Sequence, residues 1–143
     1  MTCFLDTSAI VKLFVPELGH ELVDTVAKRP IIAADIALVE LPAALHRKAR
    51  MGELSPRLAQ LLTRAFRASA DSTEGPDLHL IETTVPVLVE AARLVARHPL
   101  RAYDAVQLAS ALASNRAVPG CSFGSFDQQL NDAAFAEGLV LAF

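Results

Sequence analysis

Four acidic residues carry the chemistry this sequence suggests: Asp6, Glu40, Asp104 and Asp127. Each comes just after an apolar strand-like run or early in the helical pattern beyond it. In a parallel sheet those places share one edge, the C-terminal ends of the strands, where open α/β folds bind their ligands. Singly, each acid has an ordinary explanation. Asp6 and Asp127 suit helix caps, Asp104 complements a helix dipole, and Glu40 fits a solvated helix face. Two of these explanations are weak. Glu40 lies between Val39 and Leu41 with Asp35 already available as a cap. Asp104 interrupts an otherwise apolar helix, where an unpaired carboxylate is costly.

Clustered carboxylates repel one another and raise each other's pKa unless a cation is present. Hard oxygen ligands with retained waters favour Mg²⁺ or Mn²⁺ over zinc. Such a site activates water and stabilises the oxyanions of an in-line phosphodiester displacement. Thr7, Ser8 and Ser125, beside these acids, are placed to orient the ligands or the water. Arg47, Lys48, Arg50 and Arg101 are the candidate phosphate contacts. Arg101 stands one turn before Asp104 and is equally suited to pair with that carboxylate. The other three read more readily as a solvated helix end. Asp24, Glu53, Asp71, Glu74 and Asp77 fall on polar faces or in loops and are assigned no role. Asp132 is five residues past Asp127 and turned away from its helix face, so it is left out; Asn131 shares that face.

The elements that must position these residues alternate along the chain. A strand over 3–5 ends at Asp6, and a short helix over 8–14 follows, with Ser8 as its N-cap. A second helix spans 21–29 with Leu22, Val23 and Val26 inward, and a second strand spans 31–34. The helix from 36 to about 51 buries Leu38, Leu41 and Leu45, and Pro42 inside it predicts a kink or a late start. It forms a helical hairpin with a helix over 55–69 that opens on Ser55-Pro56. A polar loop over 71–77 leads to a strand over 78–81 and a helix over 87–97. The most apolar helix, 102–115, shows a polar stripe of Asp104, Gln107, Ser110 and Ser114. Strand 121–125, helix 127–137 with Gly138 as its cap, and a final strand 139–141 complete the chain. Strands separated by helices imply a parallel, doubly wound α/β sheet in a single domain.

Composition sets the outer bounds. A chain of 143 residues is one domain by length. It has 52% hydrophobic residues and a mean hydropathy of +0.36. No apolar stretch is long enough for a membrane span, and Asp6 and Lys12 interrupt any signal-peptide core, so a cytoplasmic protein is expected. The apolar excess points to a subunit interface. Cys3 and Cys121 read as isolated buried thiols, and His20, His46, His79 and His98 show no metal-ligand spacing. A net charge of -3 excludes a nucleic-acid binder held by a generally basic surface. A phosphate polymer would need a bound cation to offset the local negative charge.

Four phrases stand in register along the chain: Phe4-Leu5-Asp6-Thr7-Ser8-Ala9, Ala37-Leu38-Val39-Glu40-Leu41, Leu100-Arg101-Ala102-Tyr103-Asp104-Ala105-Val106-Gln107-Leu108-Ala109 and Ser125-Phe126-Asp127-Gln128-Gln129-Leu130. Together they resemble the motifs of PIN-domain nucleases, and in particular those of the VapC toxins of type II toxin–antitoxin pairs. The resemblance implies a PIN-like three-layer α/β/α domain over residues 1–143, with a central parallel sheet and a helical hairpin. It also implies an Mg²⁺- or Mn²⁺-dependent endoribonuclease that is inhibited by a cognate antitoxin and is usually a homodimer. The family's acidic quartet carries over to Asp6, Glu40, Asp104 and Asp127, and its hydroxyl residue two before the last acid to Ser125. A catalytically silent PIN-like binding module is the alternative from another class. A haloacid-dehalogenase-type phosphatase needs an Asp where Ser8 stands. Gly120-Cys121-Ser122-Phe123-Gly124 matches G-x-S-x-G, but no histidine follows Ser122 to complete a triad.

Overall fold

The computed structural model describes residues 1–70 and 77–143. Four strands form one parallel sheet: β1 (Cys3–Leu5), β2 (Ile31–Ala34), β3 (Leu78–Ile81) and β4 (Ser122–Gly124), in the spatial order β3-β2-β1-β4. The helices are α1 (Thr7–Phe14), α2 (His20–Val26), α3 (Ala37–Arg50), α4 (Pro56–Ala70), α5 (Val85–Arg97), α6 (Ala102–Ala117) and α7 (Gln128–Ala136). The chain winds from β1 to β2 and β3 on one side, then returns to place β4 on the other side of β1. A crevice outside the strand ends, at that reversal, follows from the topology.

Alternation along the strands divides the core between two layers. Cys3, Leu5, Ile31 and Ala33 pack with Ile10, Val23, Leu41, Leu45 and Phe66 from α1 to α4. Phe4, Ala34 and Phe123 face the other way, against Leu94, Leu108 and Leu130 of α5, α6 and α7. Phe4 and Phe123 are register partners on adjacent strands, and their rings stack at 6.0 Å. Both faces of the sheet are covered, which is why β1 and β2 are apolar throughout rather than alternating; the edge strand β3 exposes His79. The result is a three-layer α/β/α domain in which α3 and α4 form the expected hairpin. Among the described residues no helix is long and apolar enough to cross a membrane.

Several local expectations change. Asp6, not Ser8, caps α1: its Oδ1 accepts from the Ala9 amide at 3.0 Å. Asp35 does not cap α3. Its carboxylate accepts from the Thr83 amide and hydroxyl instead, tying the end of β2 to the segment beyond β3. Pro42 does not delay α3, which already starts at Ala37. Leu22 and Leu38 are exposed, while Val23, Val26, Leu41 and Leu45 are buried. Helix 21–29 is shorter than expected and stops at Val26. The final strand reduces to a single parallel bridge between Phe123 and Leu141. Most of the polar loop over 71–77 lies outside the described residues. Gly138 caps α7 as expected, at φ +86, with the Leu139 amide bonded to Ala134 O and the Gly138 amide to Phe135 O.

The turn before α2 braces the loop that carries Asp127. Gly19 has φ +91, and a Cβ there would stand 2.5 Å from the Phe126 ring. That ring packs on Phe143 and lies under the Lys12 ammonium. Gly19→Ala therefore combines left-handed backbone strain with overpacking and should lower unfolding stability by about 1–3 kcal/mol. Urea denaturation checks this; a change within about 0.5 kcal/mol, the scatter of neutral surface substitutions, would show that the ring yields freely.

Candidate active site

Asp6 extends β1 by one residue, its amide bonded to Gly124 O at 3.1 Å, so its side chain emerges at the strand end. The carboxylate is buried, and both of its oxygens accept hydrogen bonds. Oδ1 accepts from the Ala9 amide and from Ser8 Oγ at 2.7 Å, and Oδ2 accepts from Ser125 Oγ at 2.8 Å. Each serine also ties the chain beyond β4 to this point. Ser8 Oγ accepts from the Phe126 amide at 2.9 Å and Ser125 Oγ from the Asp127 amide at 3.0 Å. Burial pushes the Asp6 pKa from 3.8 up to about 6. The hydrogen bonds from Ser8, Ala9 and Ser125 hold it down, and the charge of Glu40 raises it further.

Glu40, in the first turn of α3, is held from two other helices. Its Oε2 accepts from Thr7 Oγ1 at 2.7 Å and from Gln107 Nε2 at 2.6 Å. Gln107 Nε2 also reaches Thr7 Oγ1 at 3.0 Å. Gln107 is only 2% exposed, and its Oε1 has no protein partner. The polar stripe of α6 is thus a buried one at Gln107, Ser110 and Ser114 rather than a solvated face. Gln107 carries a site contact that the sequence did not disclose. A glutamine three residues after Asp104 shares its helix face, but only the fold shows that α1 and α3 meet there.

Asp104 and Asp127 are held differently. Arg101 donates from Nε to Asp104 Oδ2 at 2.8 Å and from Nη2 to Asp127 Oδ2 at 3.5 Å. Its side chain is 80% exposed. Asp127 Oδ1 accepts from the Leu130 amide and caps α7. The ordinary role for Asp6 and Asp127 as helix caps is therefore real, and in each a second carboxylate oxygen remains outside the cap.

One open cavity of about 770 Å³ collects these groups. Asp6, Glu40, Asp104 and Asp127 line it together with Thr7, Ser8 and Gln107. Arg47 and Arg50 contribute from the outer turns of α3, and Arg101 and Tyr103 from the start of α6. Ser125 lies behind Asp6, buried. Lys48 is directed elsewhere: its ammonium pairs with Glu17 at 2.6 Å and Glu53 at 3.0 Å, and it does not line the cavity. Asp132 is likewise outside, accepting from Gln128 Nε2, whereas Asn131 bonds to Ser125 O.

Among the described residues, no three His, Cys, Asp or Glu side chains stand close enough to surround one ion. The donor set still fits a hard divalent cation, which binds through one or two carboxylates and keeps several waters. Asp6 and Glu40 are the acids held without a protein cation, and Arg101 already serves Asp104 and Asp127.

The raised Asp6 pKa has a stability consequence in metal-free protein. A carboxyl that titrates near 6 when folded and near 3.8 when unfolded favours the folded state most below pH 4. That contribution is lost as the pH rises through 6, by an amount on the order of 3 kcal/mol. Asp6→Asn removes this titration. Its stability relative to the unsubstituted protein should therefore increase between pH 4 and pH 8 when both are denatured in EDTA. A difference that stays constant across this range would contradict the buried, neutral-favouring site.

Comparison with known proteins comes to the same place. The PIN domain family model matches residues 3–136. Ribonuclease VapC45 and Ribonuclease VapC49, from two strains of Mycobacterium tuberculosis, are each 31% identical over 141 residues, covering 97% of this chain and 93% of theirs. Among solved structures, Mycobacterium tuberculosis VapC20, a sarcin-ricin loop cleaving toxin, superposes with a TM-score of 0.68 at 21% identity, covering 98% of this chain and 97% of its own. VapBC2 from Rickettsia felis, bound to a promoter DNA fragment, gives 0.65 at 15% identity, covering 99% and 97%. With the four-segment acidic cavity and the parallel β3-β2-β1-β4 sheet, these matches establish that the chain belongs to the PIN domain family, in its VapC branch.

Proposed function

We propose that this protein is an endoribonuclease that hydrolyses RNA phosphodiester bonds with Mg²⁺ or Mn²⁺, as the toxin of a toxin–antitoxin pair. The observation that carries the reading is the convergence of four acids from four chain segments in one cavity, with Arg47 and Arg50 on its wall. The named relatives are ribonucleases, and similar folds include a toxin–antitoxin complex from Klebsiella pneumoniae. Asp6 and Glu40 would hold the cation, with Asp104 and Asp127 completing its surroundings through water. When bound, it supplies an activated water and offsets the charge of the phosphodiester.

The chain's own residues set the geometry. Ser8, Ser125 and the Ala9 amide orient Asp6, so its carboxylate does not have to be reorganised when charge arrives. Thr7 and Gln107 occupy Oε2 of Glu40 and leave Oε1 free of them. Arg47 and Arg50 have no acidic partner among the described residues and can meet backbone phosphates. Arg101 is a phosphate contact only once it leaves Asp104. An exposed apolar run on α5, Val85, Leu88, Val89 and Val95, supports the homodimer that the family resemblance implies, and a cognate antitoxin is the expected regulator.

RNA incubated with Mg²⁺ or Mn²⁺ should be cut, and cleavage should disappear in EDTA and in Asp6→Asn. Cleavage by Asp6→Asn at the unsubstituted rate would reject the site and favour the silent binding module. The Gln107 contact makes a second expectation. Gln107→Leu should weaken Mn²⁺ binding roughly 10-fold or more by calorimetry, the usual range for a residue that holds a metal ligand in place. The loss should vanish in a Glu40→Gln background; an equal loss there would mean that Gln107 acts through the fold and not through Glu40.

A further inference from the structure

The cavity has a third chemical character besides its acids and its arginines. Tyr103 is the only tyrosine in a chain that has no tryptophan. It stands in the first turn of α6 immediately before Asp104, lines the cavity and is 56% exposed. Val39, immediately before Glu40, lines the same cavity and is 65% exposed. Two exposed apolar side chains thus flank two of the acids, and no described residue covers them. The other partly exposed aromatics have different settings. Phe126 packs on Phe143 beneath Lys12, and Phe135 lies on α7 away from the cavity. Arg47 and Arg50, one turn apart on α3, contribute positive charge to the same cavity.

An anionic backbone with a flat apolar group beside it satisfies all three features at once. A single-stranded nucleotide offers that combination, because its base can unstack and present a π face. A base inside an A-form duplex has both faces covered by its neighbours and shows only its edges in the grooves. We propose that Tyr103 is a stacking platform for an unpaired RNA base next to the scissile phosphate. Tyr103 is a binding residue in this scheme, with no part in proton transfer. The proposal rests on the ribonuclease reading and adds to it a residue that holds the substrate.

Binding by cleavage-silenced Asp6→Asn protein tests it. The probes are a short fluorescein-labelled mixed-sequence RNA single strand and the same strand annealed to its complement, read by anisotropy at fixed salt. Adding Tyr103→Ala should weaken single-strand binding roughly 5-fold or more, the loss of one base–aromatic stack. Tyr103→Phe should retain it, since the ring and not the hydroxyl makes the contact. Duplex binding should be weaker and unaffected by either substitution. Equal single-strand affinity with and without Tyr103→Ala overturns the proposal, as does an equal loss on the duplex. A change in oligomeric state in Tyr103→Ala on size-exclusion chromatography also overturns it, by making the ring a subunit contact. If the unsubstituted protein cuts no RNA with either metal, the ribonuclease reading itself fails; if it cuts RNA and Tyr103→Ala binds normally, only the stacking platform fails.

Discussion

A buried carboxylate is the constraint around which this molecule is arranged. Asp6 sits at the end of β1, where burial alone would favour its neutral form. Three neutral donors compensate, and each comes with a structural obligation. The Ala9 amide requires α1 to begin at once. Ser8 must stand where it also accepts from the Phe126 amide, and Ser125 where it also accepts from the Asp127 amide. Holding one acid therefore fixes how β1, α1 and the β4–α7 connection meet. The parallel pairing of Leu5 with Gly124 brings the two strand ends level, so that these contacts are possible.

The four acids are held in two different ways, and the difference bears on how the site works. Asp6 and Glu40 are bound by uncharged groups from inside the protein, Ser8, Ser125, Thr7 and Gln107, which fix direction without cancelling charge. Asp104 and Asp127 share an exposed guanidinium. Surface ion pairs of that kind contribute little and exchange readily with water or another cation. One half of the site is thus held by neutral groups that leave its negative charge uncancelled. The other half has the guanidinium of Arg101 already present.

The other lining residues complete the division of labour. Arginines on the outer turns of α3 and an aromatic ring at the start of α6 both border the cavity whose floor is acidic. An acidic protein can in this way offer a polyanion a local welcome that its net charge of -3 does not suggest. Lys48 shows how narrow that welcome is. It lies between Arg47 and Arg50 in sequence, yet the helical turn carries it round to Glu17 and Glu53.

Strand-then-acid junctions, the helical hairpin and the parallel sheet were legible in the sequence because they depend on local periodicity and on where apolar runs stop. The four acids were legible for the same reason: each interrupts or ends such a run, and all lie in register with a family pattern. Contacts between distant segments were not legible. Ser8 reads as a cap from its position alone, but Asp6 makes the cap, and the Ser8 hydroxyl instead joins Asp6 to the distant Phe126 amide. Asp35 reads as a cap and is a tie to Thr83. Gln107 reads as part of a polar stripe and is buried against Glu40, sixty-seven residues away in the chain. The sequence by itself determined which residues carry charge and which elements deliver them. Only the tertiary structure decided which neutral donor faces which oxygen, because that depends on how α1, α3 and α6 approach one another, a packing outcome that no local pattern encodes.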